Sequence, residues 1–184
     1  MAITLDGFIE GPEGELDWIV KDSETDFGDI LNEILSDKDA IFYGRVSYEK
    51  WGNSQPGENA SAKTKDAYKL MHSKQKYVFS KTKSADNTNA IFINSNIEEK
   101  ISEIKKQHKK NIWLYGGAKL TATLLNLDLI DELRFAVHPV ILGKGKPLFQ
   151  NIEDRHKLNL KEVQGFKSGV MLVKYQINRT TDTD

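Results

Sequence analysis

Two stretches of this 184-residue chain carry the clearest potential for chemistry. They are Phe42-Tyr43-Gly44-Arg45-Val46-Ser47-Tyr48-Glu49 and Leu114-Tyr115-Gly116-Gly117-Ala118-Lys119-Leu120. Each runs from a short apolar segment through glycine into a helical pattern. A parallel strand that ends in this way leaves backbone N–H groups unpaired at the positive end of a helix dipole. Glycine lets an anion come close to that backbone. Two such ends facing each other would cradle a diphosphate from both sides. Arg45 adds a planar cationic fork suited to phosphate. Ser47 offers a hydroxyl, or simply caps its helix. A third strand end, Val78-Phe79-Ser80-Lys81-Thr82, presents hydroxyls and a cation of the kind that grips a ribose phosphate. Each element also has a plain reading: ordinary turn glycines, Arg45 in a surface ion pair, a solvated polar turn at Ser80-Lys81. Neither a G-x-G-x-x-G nor a Walker A loop is present. The spacing alone therefore points to a phosphate-bearing ligand and stops there.

These residues need strands and helices to hold them. Phe27, Ile30, Leu31, Ile34 and Leu35 have the spacing of an amphipathic helix over 24–36. Ala40–Tyr43, Lys76–Phe79, Ala90–Ile93 and Asn111–Tyr115 are short apolar runs that read as buried strands. A short helix from about Ser47, a surface loop over 52–62, and helices over 63–73, around Ile97–Ile104 and from Gly117 onward lie between or after them. The pattern then changes. Leu133, Phe135 and Val137 alternate with polar or small residues, and alternation returns at Leu158–Leu160 and Met171–Ile177 around a turn near Gly165–Gly169. The prediction is an α/β, three-layer αβα fold with a mostly parallel mixed sheet and antiparallel C-terminal strands. It forms one domain over 1–177, with a polar, frayed tail at 178–184.

Composition narrows the classes. Hydrophobic residues make up 39% and charged residues 29% of the chain, ordinary for a globular protein. With no cysteine, disulfide scaffolds, thiolate metal sites and cysteine nucleophiles are excluded. The histidines His72, His108, His138 and His156 lack ligand spacing, so no metal site is expected. No apolar run reaches the ~18 residues of a membrane span. The absence of a visible signal peptide leads to the expectation of a cytoplasmic protein with no membrane partner. Net charge is −1, which gives no global signal for nucleic acid. Residues 1–40 hold 12 acids and 2 bases, leaving +9 on the rest, so the later part better suits a small anion. The run Lys105–Lys110 reads as a solvated helix end. Gly143-Lys144-Gly145-Lys146 reads as a mobile turn, with lysines that would meet a substrate phosphate as the alternative.

In these motifs the chain resembles the dihydrofolate reductase-like family, and more closely the stand-alone relatives of the riboflavin biosynthesis reductase (RibD C-terminal) domain. Leu5-Asp6-Gly7-Phe8-Ile9 with Asp17-Trp18 is similar to the family's first strand end and active-site loop. Gly44–Glu49 is similar to its Gly-Arg-x-Ser/Thr-aromatic-Glu motif, and Gly116-Gly117 with Leu120 to its glycine pair at a helix start. Leu129–Leu133 followed by Pro139–Phe149 is similar to the C-terminal signature of the riboflavin-type branch.

The resemblance implies an NADPH-dependent reductase of a small heterocyclic or aldehyde-like substrate. The nearest named reaction is that of 5-amino-6-(5-phosphoribosylamino)uracil reductase. It implies that Gly44, Arg45, Val46 and Ser47 contact the diphosphate and adenosine-side phosphates. Ser80 and Lys81 then lie by the adenine ribose and its 2′-phosphate, and Gly116, Gly117, Ala118, Lys119 and Leu120 close over the diphosphate. Ala2, Ile3 and Ile9 flank the nicotinamide. Hydride transfer asks the protein chiefly for orientation and dryness. The proton donor is Asp6, Asp17 or water, and a carboxyl donor needs a raised pKa. Both aspartates also read as turn residues. Trp18 would wall the substrate pocket, or belong to the core.

Three departures accompany the match. Only Met1–Thr4 precede the Leu-Asp-Gly stretch, so a short first strand is expected to weaken the nicotinamide site. Asp26 and Asp29 lie near, but not at, the helix position where dihydrofolate reductases hold the pterin, and both also read as acids favoured at a helix start. With no cysteine in these residues, the zinc deaminase domain fused to many riboflavin enzymes is not expected in this sequence. The rival readings are a nucleotide-binding homodimeric module without turnover and dihydrofolate reductase itself. A homodimer follows from the resemblance, with Leu133, Phe135, Val137 and Pro139–Leu142 as apolar contacts or as intramolecular core.

Overall fold

The computed structural model describes residues 1–20 and 26–178. It contains two compact units, Ser23–Leu120 and Met1–Asp22 with Thr121–Asp184.

The Ser23–Leu120 unit is built on four parallel strands: β3 (Lys38–Gly44), β4 (Gln75–Phe79), β5 (Ile91–Ile93) and β6 (Asn111–Gly116), in the order β5-β4-β3-β6. Ala40, Ile41, Phe42 and Tyr43 are all buried, as expected of a parallel strand covered on both faces. Ile41 and Tyr43 pack with Leu31, Leu35, Ala67 and Met71 from α1 (Phe27–Leu35) and α3 (Ala62–Ser73). Phe42, pointing to the opposite face by strand alternation, meets Tyr77 and Phe79 edge-on. Asp26 caps α1 by accepting from the Gly28 amide at 2.7 Å, and Ser61 caps α3 through the Thr64 amide. The expected helix over 24–36 thus begins at Phe27 among the described residues, of which 24 and 25 are not part. Arg45–Ser47 forms a single helical turn, α2, which widens into a π-type turn over Tyr48–Gly52. Helix α4 (Ile97–Gln107) buries Ile101 and Ile104.

The other unit carries β1 (Ala2–Thr4), β7 (Glu132–His138), β9 (Leu158–Gly165) and β10 (Met171–Ile177) in the order β1-β7-β10-β9. Only β1–β7 is parallel; the other two pairings are antiparallel. Two short strands had no sequence signal: β2 (Phe8–Glu10) and β8 (Lys146–Pro147), which pair as a ribbon. The first is three residues long and the second two, below the length at which periodicity is readable. Helix α5 runs from Ala118 to Asn126. The expected tail falls on residues that, from 179 onward, lie outside those described.

Candidate active site

The two glycine-bearing turns adjoin within the Ser23–Leu120 unit. Strands β3 and β6 pair with Tyr43 opposite Gly116, so both chains leave the sheet at the same edge. A Cβ at Gly44 would lie 3.4 Å from the Gly117 amide nitrogen, 3.5 Å from the Gly116 carbonyl oxygen and 3.6 Å from Leu120 Cβ. A Cβ at Gly117 would lie 3.0 Å from Ser47 Oγ. The seam between the turns is therefore one methyl wide and open only because both positions lack side chains. Gly116 and Gly117 are joined by a cis peptide bond. Tyr48 anchors the turn after Arg45. It is buried, packs edge-on against Tyr43 and Phe92, and its hydroxyl sits 2.8 Å from Thr88 Oγ1. Ala118 and Leu120 are buried beneath the second turn, and Val46 is exposed.

Strand β4 ends alongside, with Phe79 opposite Gly44. Here Ser80 turns its hydroxyl oxygen inward to accept from the Thr82 and Lys83 amides at 3.2 and 2.8 Å. Asn94 closes the same loop, donating to the Ser80 and Lys83 carbonyls at 2.8 Å each. Lys81 is exposed. Arg45 pairs with Glu49 at 2.6 Å, and the other Glu49 oxygen lies 3.9 Å from Lys83 Nζ. The surface ion pair weighed for Arg45 is present, at the edge where the strands end.

The remaining sequence-predicted residues belong to the other unit. Ala2 and Ile3 lie on β1 and Ile9 on β2, with both isoleucines buried. Asp6 follows β1 and is held as an anion: its carboxylate accepts from Thr4 Oγ1 at 2.6 Å and from the Leu142 and Gly143 amides at 3.1 and 2.8 Å. The Thr4 hydroxyl, followed by those amides, keeps its pKa below the ordinary aspartate range, opposite to what a proton donor requires. Asp17 is exposed. Trp18 is buried and meets His138 edge-on, with no partner for its Nε1. His138 accepts the Val20 amide on Nδ1 at 3.1 Å, and burial pushes its pKa down. The segment read as a mobile turn is tied down instead. Lys146 and Pro147 pair with β2, and a Cβ at Gly145 would lie 2.4 Å from the Glu10 carbonyl oxygen. Lys144 and Lys146 line a shallow hollow of about 430 Å³ with Glu10 and Gln150, and Lys146 reaches Glu10 at 3.4 Å.

Asp26 and Asp29 are helix-start acids with structural partners. Asp26 accepts from Thr64 Oγ1 as well as capping α1, and Asp29 pairs with Lys63 at 2.8 Å. Several contributors had no sequence signal. Lys76 is buried on β4 and donates to the Gly52 carbonyl at 2.6 Å and Asn53 Oδ1 at 3.2 Å, fixing the end of the π-type turn. A lysine in a strand pattern gives no hint of such a pin. Asn94, Thr88 and Lys83 lie 11 to 40 residues from the residues they support, so only folding brings them together.

A parallel α/β sheet with two glycine turns at one edge, accompanied by antiparallel C-terminal strands, is the architecture of a dihydrofolate reductase-like fold. Solved structures bear this out. One is that of a riboflavin biosynthesis-type protein from Shewanella sp. PV-4 (TM-score 0.77, 21% identity, 97% of each chain covered). Another is a diaminohydroxyphosphoribosylaminopyrimidine deaminase/5-amino-6-(5-phosphoribosylamino)uracil reductase from Thermotoga maritima (TM-score 0.65, 19% identity, 96% of this chain and 55% of that one). A third is dihydrofolate reductase from Enterococcus faecalis complexed with NADP(H) (TM-score 0.62, 14% identity, 97% of this chain and 94% of that one). The chain belongs to the RibD C-terminal domain family, whose model matches residues 1–172. It is 47% identical over 178 residues to the uncharacterized protein YyaP of Bacillus subtilis strain 168, covering 97% of this chain and 93% of that protein. Family and fold together make this a RibD C-terminal domain with a dihydrofolate reductase-like fold. Among the described residues, no helix is long and apolar enough to cross a membrane.

Proposed function

We propose that the protein is an NADPH-dependent reductase of a small heterocyclic or aldehyde-like substrate, nearest in chemistry to 5-amino-6-(5-phosphoribosylamino)uracil reduction. The observation that carries this reading is the seam between Gly44 and Gly116-Gly117, which a single Cβ would fill. Backbone this bare is what a diphosphate needs to reach amide donors at hydrogen-bond distance. Family membership and the NADP(H) complex of the Enterococcus faecalis relative support the choice of cofactor. When bound, the dihydronicotinamide supplies the hydride.

The chain's own residues do the rest. Gly44, Val46, Ser47 and Gly116 to Leu120 hold the diphosphate, while Arg45, Ser80 and Lys81 meet the adenosine side. Ala2, Ile3 and Ile9 provide apolar walls that exclude water. Asp6, fixed as an anion, positions the 142–143 loop, which leaves Asp17 or water to deliver the proton. Trp18 presents a buried indole N–H to the substrate side. The protein acts as a homodimer through β9, a sheet edge exposed along its whole length that carries Leu158, Leu160 and Val163, with Met171 exposed on β10. Leu133 and Phe135 are buried within one chain and serve as core, while Ile141 is exposed.

Nucleotide fluorescence titration, followed by NADPH oxidation with pyrimidine and pterin substrates, tests the proposal. Saturable NADPH binding with turnover of a pyrimidine or aldehyde substrate is the expected result. Binding without turnover on any substrate would make the chain a nucleotide-binding module, and failure to bind would end the reading.

A further inference from the structure

Beneath the first glycine turn, within the Ser23–Leu120 unit, runs a chain of polar groups in which each proton has one place to go. It starts at the buried Lys76 on β4 and ends at Asp86, in the loop before β5. An ammonium has three protons and no acceptor. Those of Lys76 meet the Gly52 carbonyl at 2.6 Å, Asn53 Oδ1 at 3.2 Å and His72 Nδ1 at 3.2 Å. His72 Nδ1 must therefore accept, which leaves Nε2–H to donate to the Ser54 carbonyl at 2.9 Å. Burial, and then the Lys76 charge, push the His72 pKa down and keep the ring neutral, as this arrangement requires.

The far end is fixed in the same way. Hydrogen bonds from the Thr88 side chain, and then from its amide, hold the Asp86 pKa below the ordinary aspartate range, so Asp86 is an anion and only accepts. Thr88 gives it the hydroxyl proton at 2.6 Å. Thr88 Oγ1 then has lone pairs alone to offer, and these take the Ala90 amide at 3.1 Å and the Tyr48 hydroxyl at 2.8 Å. Tyr48, having donated its proton, accepts from Asn53 Nδ2 at 3.4 Å, the longest link. The donors thus run one way, from Lys76 through Asn53, Tyr48 and Thr88 to Asp86, from a cation to an anion. Bonds aligned in this sense polarise one another, most of all where water is excluded. The middle member is the buried Tyr48, which follows Ser47, the residue whose Oγ borders the seam. A Cβ at Gly52 would lie 2.3 Å from the Tyr48 ring, so the backbone that Lys76 holds is seated against that ring. The turn is clamped from β4 on one side and from the 86–88 loop on the other.

We propose that Lys76, Asn53, Thr88 and Asp86 are positioning residues for the nucleotide-binding turn, holding it preorganised through Tyr48 as one oriented hydrogen-bond chain. The proposal rests on the cofactor reading above and adds residues that act through Tyr48 rather than on the nucleotide. Its mark is coupling: Lys76 and Thr88 meet through Asn53 and Tyr48, not directly.

The test is NADPH titration of the protein and its variants, with thermal unfolding to confirm that each is folded. Lys76→Met and Thr88→Val are each expected to raise the NADPH dissociation constant about 5-fold, the scale of one lost hydrogen bond. Thr88→Ser, which keeps the hydroxyl, should restore wild-type affinity. Combined, Lys76→Met and Thr88→Val should weaken binding less than about 10-fold, where independent effects would multiply to about 25-fold. Should Lys76→Met not fold, Asn53→Ala, at an exposed position, takes its place in the pair with the same expectation. Wild-type affinity in folded Thr88→Val would overturn the proposal and leave the cofactor reading intact. So would a full multiplicative loss in the double variant, or a Thr88→Ser protein as weak as Thr88→Val. If the wild type bound no NADPH, the cofactor reading would fall and this proposal with it.

Discussion

Gly44→Ala separates folding from binding at the centre of the site. Gly44 has φ −71° and ψ 148°, an extended conformation open to any residue. The added methyl would find its nearest neighbours at 3.4, 3.5 and 3.6 Å, ordinary van der Waals distances. The native fold therefore accepts alanine. Reduced freedom of the unfolded chain should then leave stability unchanged or raise it by up to about 1 kcal/mol. For a chain this size that is a Tm shift of no more than about 4 °C upward. Binding should move the other way. The methyl occupies the seam from which diphosphate oxygens would reach the backbone, and one or two charge-assisted bonds of about 1.5–3 kcal/mol each are at stake. Partial relaxation of the ligand leaves a net loss of about 1.4–2.8 kcal/mol, a 10- to 100-fold weaker Kd. Thermal unfolding and NADPH fluorescence titration on one preparation read both numbers. Wild-type NADPH affinity in a stably folded Gly44→Ala protein would refute the reasoning.

Three further outcomes follow from particular contacts. Asp6→Asn should lower Tm at neutral pH by loosening the 142–143 loop. Because the folded pKa is depressed, the aspartate's contribution is full above the unfolded value near 3.9 and fades as pH falls below it. The Tm gap between wild type and Asp6→Asn should then hold steady from pH 8 to about 5 and narrow only in acid; a gap that closes near pH 7 would contradict this. Gly28→Ala should destabilise by about 1–3 kcal/mol, because its Cβ would fall 2.4 Å from the Lys63 carbonyl carbon and Thr64 nitrogen of α3. Chemical denaturation showing no loss would mean that α1 and α3 part easily. Leu160→Glu with Val163→Glu should convert a dimer to monomer in light scattering without lowering secondary structure, whereas an unchanged mass would remove β9 from the interface.

Much of this was legible because burial and periodicity coincide. Ala40–Tyr43 and Tyr77–Phe79 are apolar on both faces, as central parallel strands must be, and the spacing of Ile97, Ile101 and Ile104 marks α4. The adjacency of Gly44 and Gly116-Gly117 was readable as an expectation, since both follow parallel strands. Their pairing across β3 and β6 is a matter of sheet order, which local pattern does not encode. Asp6 illustrates the opposite case. An Asp-Gly pair signals a turn, yet the partners that depress its pKa include the amides of Leu142 and Gly143, more than 130 residues away. Leu158 and Leu160 show a further gap: alternation predicts a half-buried strand, whereas all of β9 is exposed in the single chain. Apolar content on an edge strand reports the need for a covering surface, and not which surface supplies it.

The most direct test of the account is a crystal structure of the protein with NADPH. Diphosphate density is expected in the seam between Gly44 and Gly116-Gly117, with the adenosine end running toward Ser80 and Lys81. Diphosphate density that avoids this seam, or a nucleotide extended away from the β4 end, would contradict it.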